Sequence, residues 1–212
     1  HEKRWKVSEK RINYYKKQTG KDYDIRKRIE IYKDLKKDEQ NIAITVYPSL
    51  YTYEQNNIFP LSGMSHSKTI YCNENGFYNI YLSDRYGFNN PDNEWSKEEI
   101  EYLLVGDSFV LGACVNRPND ISSVLRTLSN KPVLNLGYGS NGPLIEYATL
   151  REYLGPNVKN ILWVFYENDL SDINSELKSE ILQKYLLDLK FNQNLKSKQN
   201  QIDELTAEKI EK

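Results

Sequence analysis

The chain has only two cysteines and two histidines, and one of those histidines is its first residue. A zinc centre built from Cys and His needs three or four such ligands at close spacing, so that class of site is excluded, and no metal or cofactor is expected. Cys72 and Cys114 stand far apart with no second pair to make a disulfide framework. They read as two small thiols, buried or half-buried. No apolar run approaches the roughly 18 residues of a membrane-crossing helix. No charged-then-apolar leader opens the chain, and its first residue is not Met. The expectation is therefore a segment of a longer protein, with any membrane anchor in sequence outside it. A net charge of -1 provides no global basic field, so nucleic acid is not an expected partner.

What is present suffices for one substantial core: 39% of the 212 residues are hydrophobic, which bounds the chain to about one main domain. Residues 1–40 are charged, with Ile12, Tyr15, Ile25, Ile29, Tyr32 and Leu35 forming a partial helical stripe that Thr19-Gly20 breaks in two. Interleaved acids make this a solvated amphipathic face; docking on anionic lipid beside an upstream anchor is a weaker alternative. Residues 41–96 are β-branched and aromatic, punctuated by Asn-Gly, Gly and Asn-Pro, and "TIYC" with "FYNIYL" across "NENG" predicts a β-hairpin. This is a strand-rich lead-in that must pack on the core, because its own apolar content is thin.

From residue 97 to 190 the pattern becomes α/β. "EYLLVG", "PVLNLG" and "NILWVFY" are short apolar runs separated by helical spacings in "DISSVLRTL" and "GPLIEYATLREYL". Strands apolar on both faces and alternating with helices predict a parallel sheet covered on both sides. A helix is expected through "SELKSEILQKYLLDL". Residues 191–212 read as a polar helical tail, frayed at its end and cut from its continuation.

In parallel sheets ligands gather outside the carboxyl ends of the strands. Here those ends deliver Gly106-Asp107-Ser108, then Gly137-Tyr138-Gly139-Ser140-Asn141-Gly142, then Tyr166-Glu167-Asn168-Asp169. A hydroxyl, a glycine turn and a carboxamide on one edge suit acyl transfer. Ser Oγ attacks a carbonyl, and fixed N–H donors meet the oxyanion. Ser108 can offer nucleophile and N–H, Gly139 a second N–H, and Asn168 its Nδ2. Each has a plainer reading: Ser108 as a helix N-cap, and Gly139 and Asn168 as turn residues. Gly137 and Gly142 do not make a phosphate loop, since no Lys follows at the required spacing. Asp107 reads as an acceptor organising the turn, with Gly106 allowing the bend. Glu167, Asp169 and Asp172 read as helix-dipole partners rather than as a metal site or a glycosidase pair. His66 reads as an exposed loop residue.

The ordered blocks GDSF, NLGYG and ENDL resemble the SGNH/GDSL hydrolase superfamily, and "SDRYGFNNPDNEW" is similar to the lead-in of a bacterial, often membrane-anchored subgroup. The likeness runs over about residues 23–203, with the motifs between Gly106 and Asp169. It implies a three-layer α/β/α, flavodoxin-like fold, here incomplete. It also implies Ser108 as nucleophile and Gly139 and Asn168 as oxyanion donors, supported by Gly106, Asp107 and Asp169. The activity implied is serine ester hydrolysis or O-acyl transfer, on acyl esters of carbohydrate or cell-envelope glycan. Two departures stand out. Tyr166 occupies the position of a family glycine, and the Asp-x-x-His block that supplies the general base is absent, with no His after Ser108. The expectation is that this block lies beyond Lys212 and that the segment by itself is nearly inactive. The alternative is a catalytically silent module that binds a glycan or a partner.

Overall fold

The computed structural model describes residues 7–54, 56–167 and 169–212. Helix α1 (Glu9–Thr19) starts where the Ser8 side chain accepts from Arg11 N–H and stops at Gly20, whose φ of 69° continues no helix. The break expected at Thr19-Gly20 is there. In α2 (Arg28–Leu35) Tyr32 and Leu35 of the expected stripe pack with Ile31, which was not in it, on Ile42 and Ile70 of a small sheet, while Ile25 of that stripe is exposed. That sheet is β1 (Ile42–Ile44), parallel to β2 (Lys68–Ile70), which is antiparallel to β3 (Ile80–Leu82). The hairpin continues past β2 through Tyr71 N–H to Asn79 O and Asn79 N–H to Cys72 O, at 2.9 and 2.8 Å.

Beyond β3 the chain turns on Asp84, which is fully buried. Its carboxylate accepts from Tyr86 N–H, Phe88 N–H, Asn90 Nδ2 and Trp95 Nε1 at 2.7–3.0 Å. Gly87 in this turn has φ 83°, and a Cβ there would lie 2.0 Å from the Gly63 carbonyl oxygen, so only glycine lets the two segments touch.

The second sheet is parallel throughout, in the order β5 (Val133–Asn135), β4 (Ile100–Val105), β6 (Val158–Trp163). Successive strand residues face opposite sides. Leu104 clusters with Val133 and with Leu125 of α4 (Ile121–Ser129). Leu103 and Val105 belong to the main core with Ile145 and Ala148 of α5 (Pro143–Tyr153). The chain is thus α/β with one all-parallel sheet. β6 lies at the edge, and from Ile161 to Tyr166 every residue is apolar or aromatic yet at least 36% exposed.

Three readings of the sequence are corrected. The cysteines are not free thiols: Cys72 and Cys114 form a disulfide with Cα atoms 5.2 Å apart, because the hairpin folds onto the loop after the Gly-Asp-Ser turn. The helix expected from Ser175 onward is two, α6 (Asp169–Glu176) and α7 (Glu180–Leu187), with Ser179 capping the second. The tail is not frayed. Helix α8 (Gln199–Glu211) buries Gln199, Ile202 and Thr206, and Asp203 accepts from Ser65 N–H and Oγ at 2.9 and 2.6 Å. Polar contacts hold it where hydropathy alone signalled little.

Candidate active site

At the end of β4, a Cβ on Gly106 would meet Val110 Cγ2 at 2.6 Å and Val164 O at 2.7 Å, so glycine lets the backbone pass close to β6. Asp107 then caps the four-residue helix α3 (Ser108–Leu111): Oδ1 accepts from Phe109 N–H at 3.0 Å, and Oδ2 accepts from Ser108 Oγ at 3.2 Å. The cap role therefore belongs to Asp107, and Ser108 is the first helical residue, half-buried with its hydroxyl held by the neighbouring carboxylate.

The other two strand ends come to the same place. Leu136 N–H reaches Leu104 O at 2.8 Å and Tyr138 N–H reaches Gly106 O at 3.2 Å, which runs the glycine turn alongside the Ser108 turn. A Cβ on Gly137 would lie 2.5 Å from Leu111 N, and one on Gly139 2.5 Å from the Tyr71 hydroxyl and 2.9 Å from Tyr47. From β6, Val164 N–H bonds Val105 O at 2.9 Å, and the Tyr166 ring sits 5.3 Å from that of Phe109. Tyr166 N–H donates to Asp169 Oδ2 at 2.7 Å, closing the turn that opens α6. Asn168 lies outside the described residues. His66 is exposed; its N–H bonds Asp84 O and its carbonyl accepts from Asn41 Nδ2, neither partner belonging to the strand-end blocks.

No family model, curated protein or solved structure matches the chain. The chemistry must be read from the side chains themselves, and these add groups that sequence reasoning passed over. Tyr71 and Tyr47, from the lead-in, wall Gly139; their only signal was a high density of Tyr in that stretch. Glu146 in α5 is buried, with Oε2 accepting from Trp163 Nε1 at 2.6 Å and Oε1 without a partner among the described residues. The signal there was an acid set between Ile145 and Tyr147 in an apolar helix.

The neighbourhood is rich in carboxyls. Burial pushes Glu146 up to about 8, against the pull of Trp163 and with help from Asp169, Asp107 and Glu176. Burial also raises Asp169, Asp172 and Glu176. Glu176 accepts from Gly142 and Leu144 N–H at 2.7 and 2.9 Å and so caps α5 from another helix. Among the described residues no three His, Cys, Asp or Glu side chains converge as metal ligands, and no helix is long and apolar enough to cross a membrane.

A raised carboxyl has a defined pH signature. Between the ordinary 4.5 and about 8, the folded chain holds a proton on Glu146 that the unfolded chain has lost, so stability falls as pH rises through that window and levels off above it. Glu146→Gln, which keeps the shape of the neutral acid and an oxygen to accept from Trp163 Nε1, should remove that part of the slope. At pH 9 the variant is expected to be more stable than the parent by of order 2 kcal/mol. Denaturant titrations of both proteins at pH 5 and pH 9 check this, and equal slopes would place Glu146 in contact with solvent.

Proposed function

We propose that the chain carries the nucleophile and oxyanion blocks of an SGNH-type serine ester hydrolase or O-acyltransferase, acting on acyl esters of carbohydrate or cell-envelope glycan. The observation that supports it is the meeting of the Gly106-Asp107-Ser108 and Gly137-Tyr138-Gly139 turns with the end of β6 on one rim of the parallel sheet. In this reading Ser108 Oγ attacks the ester carbonyl, Ser108 and Gly139 N–H and the Asn168 carboxamide receive the oxyanion, and Asp107 orients the serine. Asp169 braces the last turn through Tyr166 N–H. Helices on both faces of the sheet support the finer three-layer arrangement. The disulfide supports an oxidising compartment such as the cell envelope.

One observation favours a second reading, a silent glycan- or partner-binding module. Asp107, not an imidazole, is the group that holds Ser108 Oγ, and a carboxylate alone activates a serine poorly. A single experiment separates the two. The full gene product and its Ser108→Ala variant are treated with a fluorophosphonate probe and assayed with p-nitrophenyl acetate. Labelling and turnover that vanish in the variant support the enzyme. A full-length protein that neither labels nor turns over rejects it in favour of the binding module.

A further inference from the structure

We propose that a pocket at the amino ends of β4 and β6, away from the Ser108 rim, binds a small aromatic carboxylate. Ile100 and Val158, the first residues of the two strands, line it, and its volume is about 200 Å³. The Ser108 rim stands at the other end of the same strands, and six residues at ~3.3 Å each separate the two sites.

Three rings shape the cavity. Tyr86 and Trp95 meet edge-on at 4.8 Å, and the buried Tyr153 lies 5.7 Å from Tyr86 and 6.4 Å from Trp95, tilted by 59° and 57°. Rings inclined to one another form a cup in which a flat guest continues the edge-to-face pattern that aromatic groups prefer. The cavity is smaller than the roughly 300–1,000 Å³ that drug-sized ligands occupy, which limits the guest to about a single substituted ring.

Charge at the mouth selects an anion. Arg85 is committed to Asp92, with Nε and Nη2 at 2.9 and 2.7 Å from its two oxygens. Lys196 is different. It is half-buried, its Nζ stands 5.7 Å from the Trp95 ring centre, and among the described residues it forms no ion pair. Burial lowers its pKa, opposed by Glu152. The Glu152 carboxylate is itself occupied by the Tyr185 hydroxyl and by Gln193 and Leu195 N–H. An ammonium held over an aromatic cup, without a carboxylate of its own, is complementary to a carboxylate borne on a ring.

The test titrates phenylacetate, and separately the neutral phenylacetamide, into the ¹⁵N-labelled protein and its Lys196→Met variant, following amide shifts. Met keeps the apolar stem and removes the charge. The proposal expects saturable shifts confined to the neighbourhood of Tyr86, Asn157 and Lys196, with phenylacetate bound at least tenfold more tightly than the amide and that preference lost in Lys196→Met. Equal binding of acid and amide, or a preference that survives the substitution, overturns recognition by Lys196. Shifts that are scattered or do not saturate in the millimolar range overturn the pocket itself.

Discussion

Asp84→Ala is expected to cost about 5 kcal/mol of folding free energy, enough to unfold a domain of ordinary stability. The carboxylate has no exposure and accepts four hydrogen bonds, two from backbone N–H groups and two from the side chains of Asn90 and Trp95. Truncation leaves Tyr86 and Phe88 N–H and Trp95 Nε1 without this acceptor and Asn90 Nδ2 with only Asn135 O, and each stranded group costs about 1–3 kcal/mol. Burial also lifts the carboxyl to about 6 against the pull of those donors. The native chain therefore binds that proton more tightly than the unfolded one, and Asp84 adds to the loss of stability between about 4 and 6 as pH rises. Asp84→Asn should fall between parent and Ala, since one oxygen still accepts. Arg85→Ala, the adjacent residue, removes a partly exposed ion pair with Asp92 and the Nη2 hydrogen bonds to Asp92 O and Ser96 Oγ, and should cost about 1 kcal/mol. Denaturant unfolding of the three variants is the check; comparable losses for Asp84→Ala and Arg85→Ala would mean that the turn is held by its packing and not by this carboxylate.

Opening the Cys72–Cys114 disulfide is expected to cost about 4 kcal/mol, because cross-links closing loops of 15 to 100 residues span roughly 3 to 4.7 kcal/mol in the chain-entropy account, and this one bridges a separation of 42. The effect should be local before it is global. Tyr71 and Asn79 N–H, which bond across the hairpin, should exchange faster in Cys72→Ser/Cys114→Ser, while amides of β4 keep their relative protection. Tyr71 also places its hydroxyl beside Gly139, so the same substitution loosens one wall of the candidate site. A double variant with unchanged melting temperature would assign the hairpin's position to Tyr71, Tyr81 and Leu111 packing alone.

The parallel strands were legible from their short apolar runs, but the covering expected on both sides is found only at β4 and β5, whereas the apolar run of the edge strand β6 is exposed. The hairpin was legible through Asn-Gly, and the first helix break through Gly20. The disulfide was not, since two isolated cysteines carry no information on whether the chain brings their Cα atoms within reach. Helix α8 was legible as a helix but its docking was not, because its inward residues include Gln199 and Asp203, whose partners at Gly63 and Ser65 come from a distant part of the chain. Glu146 escaped for a related reason: a first-turn glutamate is ordinarily solvated, and only the tertiary position of Trp163 shows that this one is enclosed. Of the candidate site, the order of the three turns could be read directly. The close approach of Tyr47 and Tyr71 to Gly139 could not, because nothing local says which lead-in ring reaches the sheet.

The clasp of residues 59–65 by residues 193–203 joins segments that are made far apart in time. Phe59 N–H waits for Gln193 and Ser65 for Asp203, across separations of 134 and 138 residues. During synthesis these lead-in groups must therefore stay hydrated until those partners emerge. Contacts of such long range slow folding, and they bind the lead-in and the α8 segment into one cooperative event.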